Sequence, residues 1–159
     1  MSKPDYPITA AVRFLRAQKI EFTPMLYDYV EHGGTAQSSA QLGVPEHQVI
    51  KTIVLQDEHK KGLIVLMHGD CQISTRNLAR QLGKKHIEPA DAAQANKWTG
   101  FLVGGTSPFG CKTALPVYVE KSIWDLETIY INGGKRGFLV AISPQGLKSL
   151  SPVDVEVAV

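Results

Sequence analysis

Lys51 is the residue whose position in this sequence best suits it to chemistry. It lies in the apolar run Val49–Leu55, and strand alternation places it on the same face as Val49, Ile53 and Leu55. A lysine on such a face commonly extends its ammonium group past its neighbours to water. It can also hold that charge at the mouth of a pocket, where it meets an anionic or carbonyl group of a ligand. The residue types alone leave both interpretations open.

The glycine-rich stretch Gly104–Gly110 (GGTSPFG) looks at first like a phosphate-binding loop. Such a loop requires Gly-Lys-Ser/Thr directly after its spacer residues. In this sequence Cys111 separates the last glycine from Lys112, and Pro108 removes one of the N–H donors that the loop would use. A nucleoside-triphosphate site is therefore not predicted.

Gly104 and Gly105 follow directly after the apolar run 101–103, so they place backbone without side chains at the end of a predicted strand. The glycines either reverse the chain in a simple turn or bulge, or expose N–H groups to a ligand carbonyl or phosphate. Ser107 has no evident His or Asp partner, so we do not interpret it as an activated nucleophile.

The histidines and cysteines show no spacing that is typical of a metal site. They are His32, His47, His59, His68, His86, Cys71 and Cys111. The two cysteines form no C-x-x-C pair, and the sequence predicts two inert, semi-buried thiols without a disulfide. We therefore expect no metal ion and no cofactor.

The composition indicates one ordinary globular domain covering residues 1–159. Hydrophobic residues make up 43% of the chain, and the formal net charge is only +2. That charge excludes a protein that coats nucleic acid, so any contact with nucleic acid should be local. The chain has no apolar run long enough to cross a bilayer and no secretory signal, which predicts a cytoplasmic protein without membrane contact.

Periodicity and capping residues predict four helices and seven strands. The predicted helices cover Thr9–Lys19, Thr35–Leu42, Ser74–Gly83 and a segment opened by Pro89 with Asp91 near its start. The predicted strands cover Glu21–Tyr29, Val49–Leu55, Gly62–Met67, Trp98–Val103, Ala114–Val119, Thr128–Ile131 and Gly137–Ile142. Because consecutive strands dominate the second half, we expect a mixed α/β fold. Its largely antiparallel mixed sheet would close into a β-barrel surrounded by short helices.

The clearest hairpin signal is IYINGGKRGFLVAI. Asn132, Gly133 and Gly134 tolerate the positive φ of a tight turn, which would place Lys135 and Arg136 at its tip.

The order of these pieces resembles the YbaK/EbsC family, which includes bacterial Cys-tRNA(Pro) deacylases and the editing domain of many prolyl-tRNA synthetases. The matching segments are LYDY (26–29), LGVPEHQVIKTIVL (42–55), LARQLG (78–83), TGFLVGGTSPFG (99–110), LP (115–116) and IYINGGKRG (129–137). Together they extend over nearly the whole chain, and their combination is far more specific than any single piece.

The resemblance implies which residues form the site. Lys51 would bind the terminal adenosine or the ester region of the aminoacyl end, and Gly104 and Gly105 would act beside it in catalysis. The implied substrate-binding residues are Tyr27, Thr52, Thr106, Ser107, Pro108, Gly110, Gly134, Lys135 and Arg136.

The resemblance also implies a freestanding trans-editing hydrolase that cleaves the ester of mischarged tRNA, with Cys-tRNA(Pro) as the expected substrate. The cysteinyl thiol would attack its own carbonyl, a lyase-like step through a cyclic thioester, while the protein supplies position and electrostatics. Expected partners are the tRNA acceptor end and a prolyl-tRNA synthetase; the oligomeric state stays open. Alternatives are a deacylase for Ala- or Ser-charged tRNA and a non-catalytic module that binds tRNA or a synthetase.

Two segments depart from the family pattern. The chain has His32-Gly33-Gly34-Thr35 where relatives carry an aromatic residue, and Phe138-Leu139 where they carry an acidic residue. Both segments are expected to border the pocket. Since editing pockets discriminate by size, these departures affect the choice among Cys, Ala and Ser more than the deacylase class.

Overall fold

Four short α-helices and eight strands make up the regular structure in a computed structural model that describes residues 5–159. The helices are α1 (Ala10–Ala17), α2 (Gly34–Leu42), α3 (Thr75–Leu82) and α4 (Ala92–Thr99). The strands are β1 (Thr23–Leu26), β2 (Val49–Asp57), β3 (Gly62–His68), β4 (Ile87–Pro89), β5 (Val117–Glu120), β6 (Ile129–Lys135), β7 (Phe138–Ile142) and β8 (Val153–Val155). Short 3₁₀-helices cover Glu46–Gln48, Lys121–Asp125 and Pro144–Leu150.

All eight strands belong to one mixed sheet, in the order β1-β7-β6-β2-β3-β5-β8, with β4 paired to β2. The β1·β7, β2·β3, β2·β4 and β6·β7 pairs are antiparallel, and the β2·β6, β3·β5 and β5·β8 pairs are parallel. The predicted mixed α/β fold with a largely antiparallel sheet and short helices is therefore confirmed. Within residues 5–159 the end strands β1 and β8 do not pair with each other.

The β2·β3 hairpin is the centre of the fold because both of its faces are buried. Ile50, Val54, Ile64 and Leu66 belong to a core that includes α1, whereas the alternate residues pack against α3. Full burial of each such aliphatic side chain stabilises the fold by about 1.5–3 kcal/mol. This two-sided packing fixes the register of β2, and with it the position of every residue along that strand.

Side-chain caps begin three of the four helices, and the sequence predicts two of these caps, Thr9 and Ser74. Thr9 Oγ1 accepts a hydrogen bond from the Val12 N–H, Ser74 caps α3 and Asp91 caps α4 in the same way. The prediction is wrong for α2. That helix begins at Gly34, and the Thr35 hydroxyl bonds the Glu46 carboxylate instead of capping the helix.

The predicted strand Trp98–Val103 is wrong, since its first two residues form the last turn of α4. Thr99 Oγ1 donates to the Ala95 carbonyl at 2.8 Å, and the helix ends at Gly100. Phe101 is then buried in the core while Leu102 and Val103 are exposed. In the apolar run 101–103, therefore, only Phe101 packs into the core, and the segment is a loop. Pro89 likewise does not open a helix, because it is the last residue of β4.

The predicted hairpin is present, but its turn lies three residues later than expected. Strand β6 continues to Lys135, and the register shift between Asn132 and Lys135 makes the Gly-Gly pair a bulge. The chain reverses at Arg136–Gly137. Arg136 is therefore at the tip as predicted, whereas Lys135 is the last residue of the strand.

No helix among residues 5–159 combines the length and the apolar character that a bilayer crossing requires.

Candidate functional site

The middle of β2 has an incomplete edge. On one side the strand pairs with β6 only at Val49 and Ile50, and with β4 only from Leu55 to Asp57. Residues 51–54 lie between these pairings and have no strand partner on that side within residues 5–159, although the Val54 oxygen accepts a hydrogen bond from the Ala90 N–H there. An unpaired strand edge presents N–H and C=O groups to whatever lies next to it, and here a cavity lies next to it.

The cavity has a volume of about 450 Å³, which suits a small-molecule-sized group. Its walls come from the loop after β1, the start of α2, the edge of β2, the start of α4, the Gly104 loop and the β6·β7 hairpin. The polar lining residues are Tyr27, Tyr29, Glu31, His32, Thr35, Gln37, Ser38, Lys51, Thr52, Thr106, Asn132 and Arg136. The apolar and glycine lining residues are Val30, Gly34, Val49, Ile50, Val54, Ala90, Ala92, Ala95, Val103, Gly104 and Leu139.

Lys51 lies at this cavity, half-buried, with its ammonium group held by one backbone carbonyl. Its Nζ donates to the Cys71 oxygen at 2.5 Å, and none of the lysine ion pairs described within residues 5–159 includes it. An ammonium group has three N–H donors, and one carbonyl accepts only one of them. The charge of Lys51 is therefore available to a ligand without first breaking a carboxylate pair.

Thr52 adds an unsatisfied hydroxyl to the same edge. Its Oγ1 is buried and has no hydrogen-bond partner among the described residues. A buried polar atom without a partner costs about 1–3 kcal/mol. Thr52 lines the cavity, and a χ1 rotation that turns its buried hydroxyl towards a polar ligand atom would recover that energy.

The Gly104 loop forms one wall of the cavity, and two hydrogen bonds fasten it to the β6·β7 hairpin. Asn132 Nδ2 donates to the Gly104 oxygen at 3.0 Å, and Arg136 Nε donates to the Val103 oxygen at 2.7 Å. The Arg136 guanidinium also lies 5.1 Å from the centre of the Tyr29 ring. These contacts hold an exposed loop in a defined position beside the cavity.

Gly104 requires glycine for two reasons. Its φ of +87° lies in the left-handed region, and a Cβ at this position would lie 2.8 Å from the Tyr29 hydroxyl oxygen. Any side chain would therefore displace Tyr29 from the cavity wall.

The residues predicted from the resemblance divide into two groups. The cavity brings together Tyr27, Lys51, Thr52, Gly104, Thr106 and Arg136. The residues that do not line it are Gly105, Ser107, Pro108, Gly110, Gly134 and Lys135. Ser107 and Pro108 are buried, and Ser107 Oγ accepts a hydrogen bond from the Phe109 N–H at 3.1 Å. Lys135 is exposed at the end of β6. The roles of all these residues remain predictions.

Asn132 and Tyr29 are lining residues that the sequence interpretation did not assign to the site, and Thr35 was expected at the pocket border but given no chemical role. Asn132 looked only like a turn residue, Tyr29 was one aromatic among several, and Thr35 resembled a helix cap. Asn132 and Tyr29 meet the Gly104 loop across long sequence separations, and Thr35 Oγ1 lies 2.7 Å from a Glu46 carboxylate oxygen. The one sequence feature that could have indicated a role for Asn132 is the Asn-Gly-Gly triplet directly before the basic pair Lys135-Arg136.

The two segments that depart from the family pattern do border the cavity. His32, Gly34 and Thr35 line it on one side, and Leu139 lines it on another. Leu139 is buried, and the His32 side chain is 92% exposed. Leu139 thus contributes an apolar side chain to this wall.

The remaining candidates from the sequence have structural surroundings. Burial raises the pKa of the Cys111 thiol to about 11, and burial followed by the Asp70 carboxylate raises the pKa of Cys71. Neither thiol is therefore activated as a thiolate. Burial also raises the pKa of Tyr27, which keeps that cavity-lining hydroxyl neutral.

Fold and site together define a small mixed α/β protein that presents a lysine, a free threonine hydroxyl and a glycine-rich loop around one cavity. Such an arrangement suits a ligand with a polar carbonyl-bearing end and an anionic portion.

Comparison with known proteins shows which family has this fold and this sequence pattern. Residues 31–150 match the family described as the aminoacyl-tRNA editing domain. The chain is 26% identical over 144 residues to EbsC of Enterococcus faecalis, described as a proposed Cys-tRNA(Pro)/Cys-tRNA(Cys) deacylase; the match covers 90% of this chain and 88% of EbsC. It is 30% identical over 107 residues to the proline–tRNA ligase of Streptococcus equi subsp. zooepidemicus, covering 67% of this chain but 17% of the ligase.

A solved structure supports the same fold. A protein described as a proposed trans-editing enzyme for prolyl-tRNA synthetase superposes with a TM-score of 0.82 at 19% identity, over 97% of this chain and 99% of that one. This protein belongs to the aminoacyl-tRNA editing domain family. The family resemblance inferred from the motifs is confirmed.

Proposed function

We propose that this protein deacylates mischarged aminoacyl-tRNA in trans, with Cys-tRNA(Pro) as its preferred substrate. The observation that carries the proposal is the pairing of Lys51 and Thr52 on an unpaired strand edge with the Gly104 loop around a single cavity. Membership of the editing-domain family supports the reaction class, and the similarity to EbsC supports the amino acid and the tRNA.

Lys51 and Thr52 provide the polar contacts at the reacting end. The Lys51 ammonium stabilises negative charge that develops on the ester carbonyl oxygen or binds the terminal nucleotide. The Thr52 hydroxyl, which has no partner among the described residues, satisfies a polar atom of the aminoacyl end. Groups that are fixed before the substrate arrives stabilise a transition state without reorganisation. The two-sided packing of β2 supplies that fixation.

The substrate itself supplies the nucleophile. Its cysteinyl sulfur bonds to the ester carbonyl carbon, the bond to the ribose oxygen breaks, and the thiol proton passes to that oxygen. The products are free tRNA and a cyclic thioester, which water then opens to cysteine. The protein contributes position and electrostatics, which can lower a barrier by several kcal/mol without any covalent enzyme intermediate.

One protein hydroxyl offers a competing mechanism. Among the described hydroxyl side chains that line the cavity, Thr35 has a carboxylate partner, since its Oγ1 lies 2.7 Å from Glu46 Oε2 and 3.1 Å from the Gly69 oxygen. A threonine next to a carboxylate could attack the ester with Glu46 as the base. That mechanism would not require a thiol in the substrate, so the two mechanisms predict different substrate ranges.

Arg136, Lys135 and Lys112 are exposed, and we expect them to contact phosphates of the acceptor end outside the reacting centre. A local basic rim on a chain with a net charge of +2 predicts tRNA binding that weakens with salt. The similarity to part of a proline–tRNA ligase makes a prolyl-tRNA synthetase the natural partner protein.

The experiment that tests the proposal is hydrolysis of Cys-, Ser- and Ala-tRNA(Pro) by the purified protein, with Lys51→Ala and Thr35→Val in parallel. We expect Cys-tRNA(Pro) to be hydrolysed far faster than Ser-tRNA(Pro), because a hydroxyl is a much weaker nucleophile than a thiol. Thr35→Val should retain most of that activity, and Lys51→Ala should lose it.

Other outcomes lead to specific alternatives. Equal hydrolysis of Cys and Ser esters with loss of activity in Thr35→Val would replace substrate assistance by the threonine mechanism. Preference for Ala or Ser esters would keep the deacylase class and change the amino acid. Salt-sensitive tRNA binding with no ester loss above that in buffer would leave a non-catalytic binding module.

A further inference from the structure

Three metal-ligating side chains meet behind Lys51, outside the cavity. They belong to His47, Asp70 and Cys71, and their ligand atoms all lie within 4.8 Å of one another. None of the three residues lines the cavity. This cluster was not predictable from the sequence, because His47 and Asp70 are 23 positions apart and no metal-binding spacing connects them.

We propose that His47, Asp70 and Cys71 bind one zinc-class divalent cation. His47 Nδ1 lies 2.9 Å from Asp70 Oδ1, and Cys71 Sγ lies 3.5 Å from the same oxygen. Tetrahedral zinc with bonds of about 2.0–2.3 Å holds its ligand atoms roughly 3.3–3.8 Å apart. Small side-chain rotations therefore bring the three atoms to that spacing without moving the backbone.

The imidazole of His47 is held in place by a neighbouring histidine. The two rings of His47 and His68 stack with centroids 3.7 Å apart and an angle of 6° between their planes. His68 is itself buried, with Nδ1 2.7 Å from the His47 oxygen and Nε2 2.7 Å from Ser122 Oγ. Ligands that are oriented by a supporting layer bind metal more tightly than free ones.

The backbone of the other two ligands is equally constrained. The Gly69 N–H donates to the Val49 oxygen at 2.7 Å, and the Cys71 N–H donates to the His68 oxygen at 3.1 Å. These bonds attach the turn that carries Asp70 and Cys71 to the ends of β2 and β3. The backbone that carries two of the three ligands is therefore tied to the central β2·β3 hairpin.

The chemical types of the three ligand atoms indicate which ion would bind, and their exposure indicates how it would enter. One imidazole nitrogen, one carboxylate oxygen and one thiolate sulfur form a borderline-soft set that suits zinc rather than magnesium or calcium. The side chains of His47 and Asp70 are 46% and 42% exposed, so an ion can enter from solvent and water can complete its coordination.

An ion at this position would also influence the cavity indirectly. The Cys71 carbonyl accepts the hydrogen bond from Lys51 Nζ, so fixing Cys71 fixes the partner that orients the Lys51 ammonium. The role of the ion would be structural, since the cluster does not reach the cavity.

Titration of the tag-free full chain with Co²⁺ and Zn²⁺ tests the site. We expect one equivalent of Co²⁺ to produce a thiolate-to-cobalt charge-transfer band that Zn²⁺ abolishes. Cys71→Ser and His47→Ala should each weaken Zn²⁺ binding at least about tenfold, since even the loss of a supporting residue costs 10–100-fold. Cys111→Ser, the matched control at the other thiol, should bind like the parent. Zn²⁺ should raise the Tm of the parent and of Cys111→Ser, but not that of Cys71→Ser.

The proposal fails if Co²⁺ produces no thiolate band, if Cys71→Ser binds Zn²⁺ as tightly as the parent, or if Cys111→Ser loses as much affinity as Cys71→Ser. Because these measurements contain no tRNA, their outcome is independent of whether the protein deacylates Cys-tRNA(Pro).

Discussion

The two halves of the stretch Gly104–Gly110 lie in opposite environments. Gly104 and Thr106 line the cavity, and Gly104 is exposed at its wall. Phe109, five residues after Gly104, is fully buried and stacks on Phe14 of α1 with ring centroids 5.7 Å apart. A single conspicuous motif thus contains a wall of the candidate site and an anchor in the core.

The difference shows that a family motif does not carry one function along its whole length. Ser107 marks the boundary, because its Oγ accepts the Phe109 N–H and its carbonyl accepts the Cys111 thiol at 3.3 Å. The second half holds the first half in position through these local bonds and through burial of Phe109. The comparison predicts that substitutions in the second half change stability and that those at the cavity change activity.

The largest effect is expected for Phe109→Ala in the buried half. Removal of a buried aromatic side chain should lower the free energy of unfolding by about 3–5 kcal/mol. Urea denaturation monitored by circular dichroism measures this free energy. The control is Leu102→Ala, because Leu102 is 61% exposed. Leu102→Ala should change stability by less than about 0.5 kcal/mol. Unchanged stability of Phe109→Ala would remove the distinction between the two halves.

Much of this architecture was predictable because it depends on local signals. Strand alternation correctly placed Lys51 on the face of Ile53 and Leu55, and Thr9 and Ser74 capped their helices as expected. The short strands β4 and β8 were missed, since three residues carry too little periodicity to be recognised. Their pairing partners are distant in sequence, so only the folded chain defines them.

The next largest effect is expected for Lys51→Ala at the cavity. Loss of a preorganised donor at a reacting carbonyl should lower kcat/KM for Cys-tRNA(Pro) about 10²–10³-fold. The control, Lys61→Ala, removes the same charge at the far end of the β2·β3 hairpin. Its kcat/KM should stay within about threefold of the parent, because Lys61 is exposed and lies away from the site. Similar losses in both variants would assign the effect to overall charge.

A smaller loss is expected for Gly104→Ala, which changes the cavity wall directly. The new Cβ would meet the Tyr29 hydroxyl at 2.8 Å in a backbone conformation with φ of +87°. We expect kcat/KM to fall about 10–100-fold, because small misplacements of positioning groups have effects of that size. A double variant, Gly104→Ala with Tyr29→Phe, relieves the contact with the hydroxyl and should recover part of the rate. No recovery would assign the loss to backbone strain or to the Tyr29 ring itself, whose Cε2 would still lie 3.0 Å from the new Cβ.

The candidate site was less predictable than the fold because its walls meet only in three dimensions. Asn132 and Gly104 are 28 residues apart, yet an Asn132 amide hydrogen bond fixes the Gly104 carbonyl beside the cavity. From the sequence, Asn132 was interpreted as part of a tight turn. In the structure a β-bulge begins at Asn132, and the Asn132 side chain bonds to the Gly104 loop. Local propensity describes the conformation of a segment but not the surface against which it packs.

The smallest effect is expected for Ser107→Ala, at the boundary between the two halves. The resemblance made Ser107 a substrate-binding residue, whereas its burial and its bond to the Phe109 N–H favour a supporting role. Loss of the hydroxyl leaves that N–H without its side-chain acceptor, which should lower the free energy of unfolding by about 1 kcal/mol. The kcat/KM for Cys-tRNA(Pro), measured well below the Tm, should stay within about threefold of the parent.

Thr106→Ala, one residue closer to the cavity, provides the matched comparison, because it removes a hydroxyl from the lining itself. A tenfold or greater loss of activity in Ser107→Ala with unchanged stability would return Ser107 to the substrate-binding residues and move the boundary between the two halves towards Phe109.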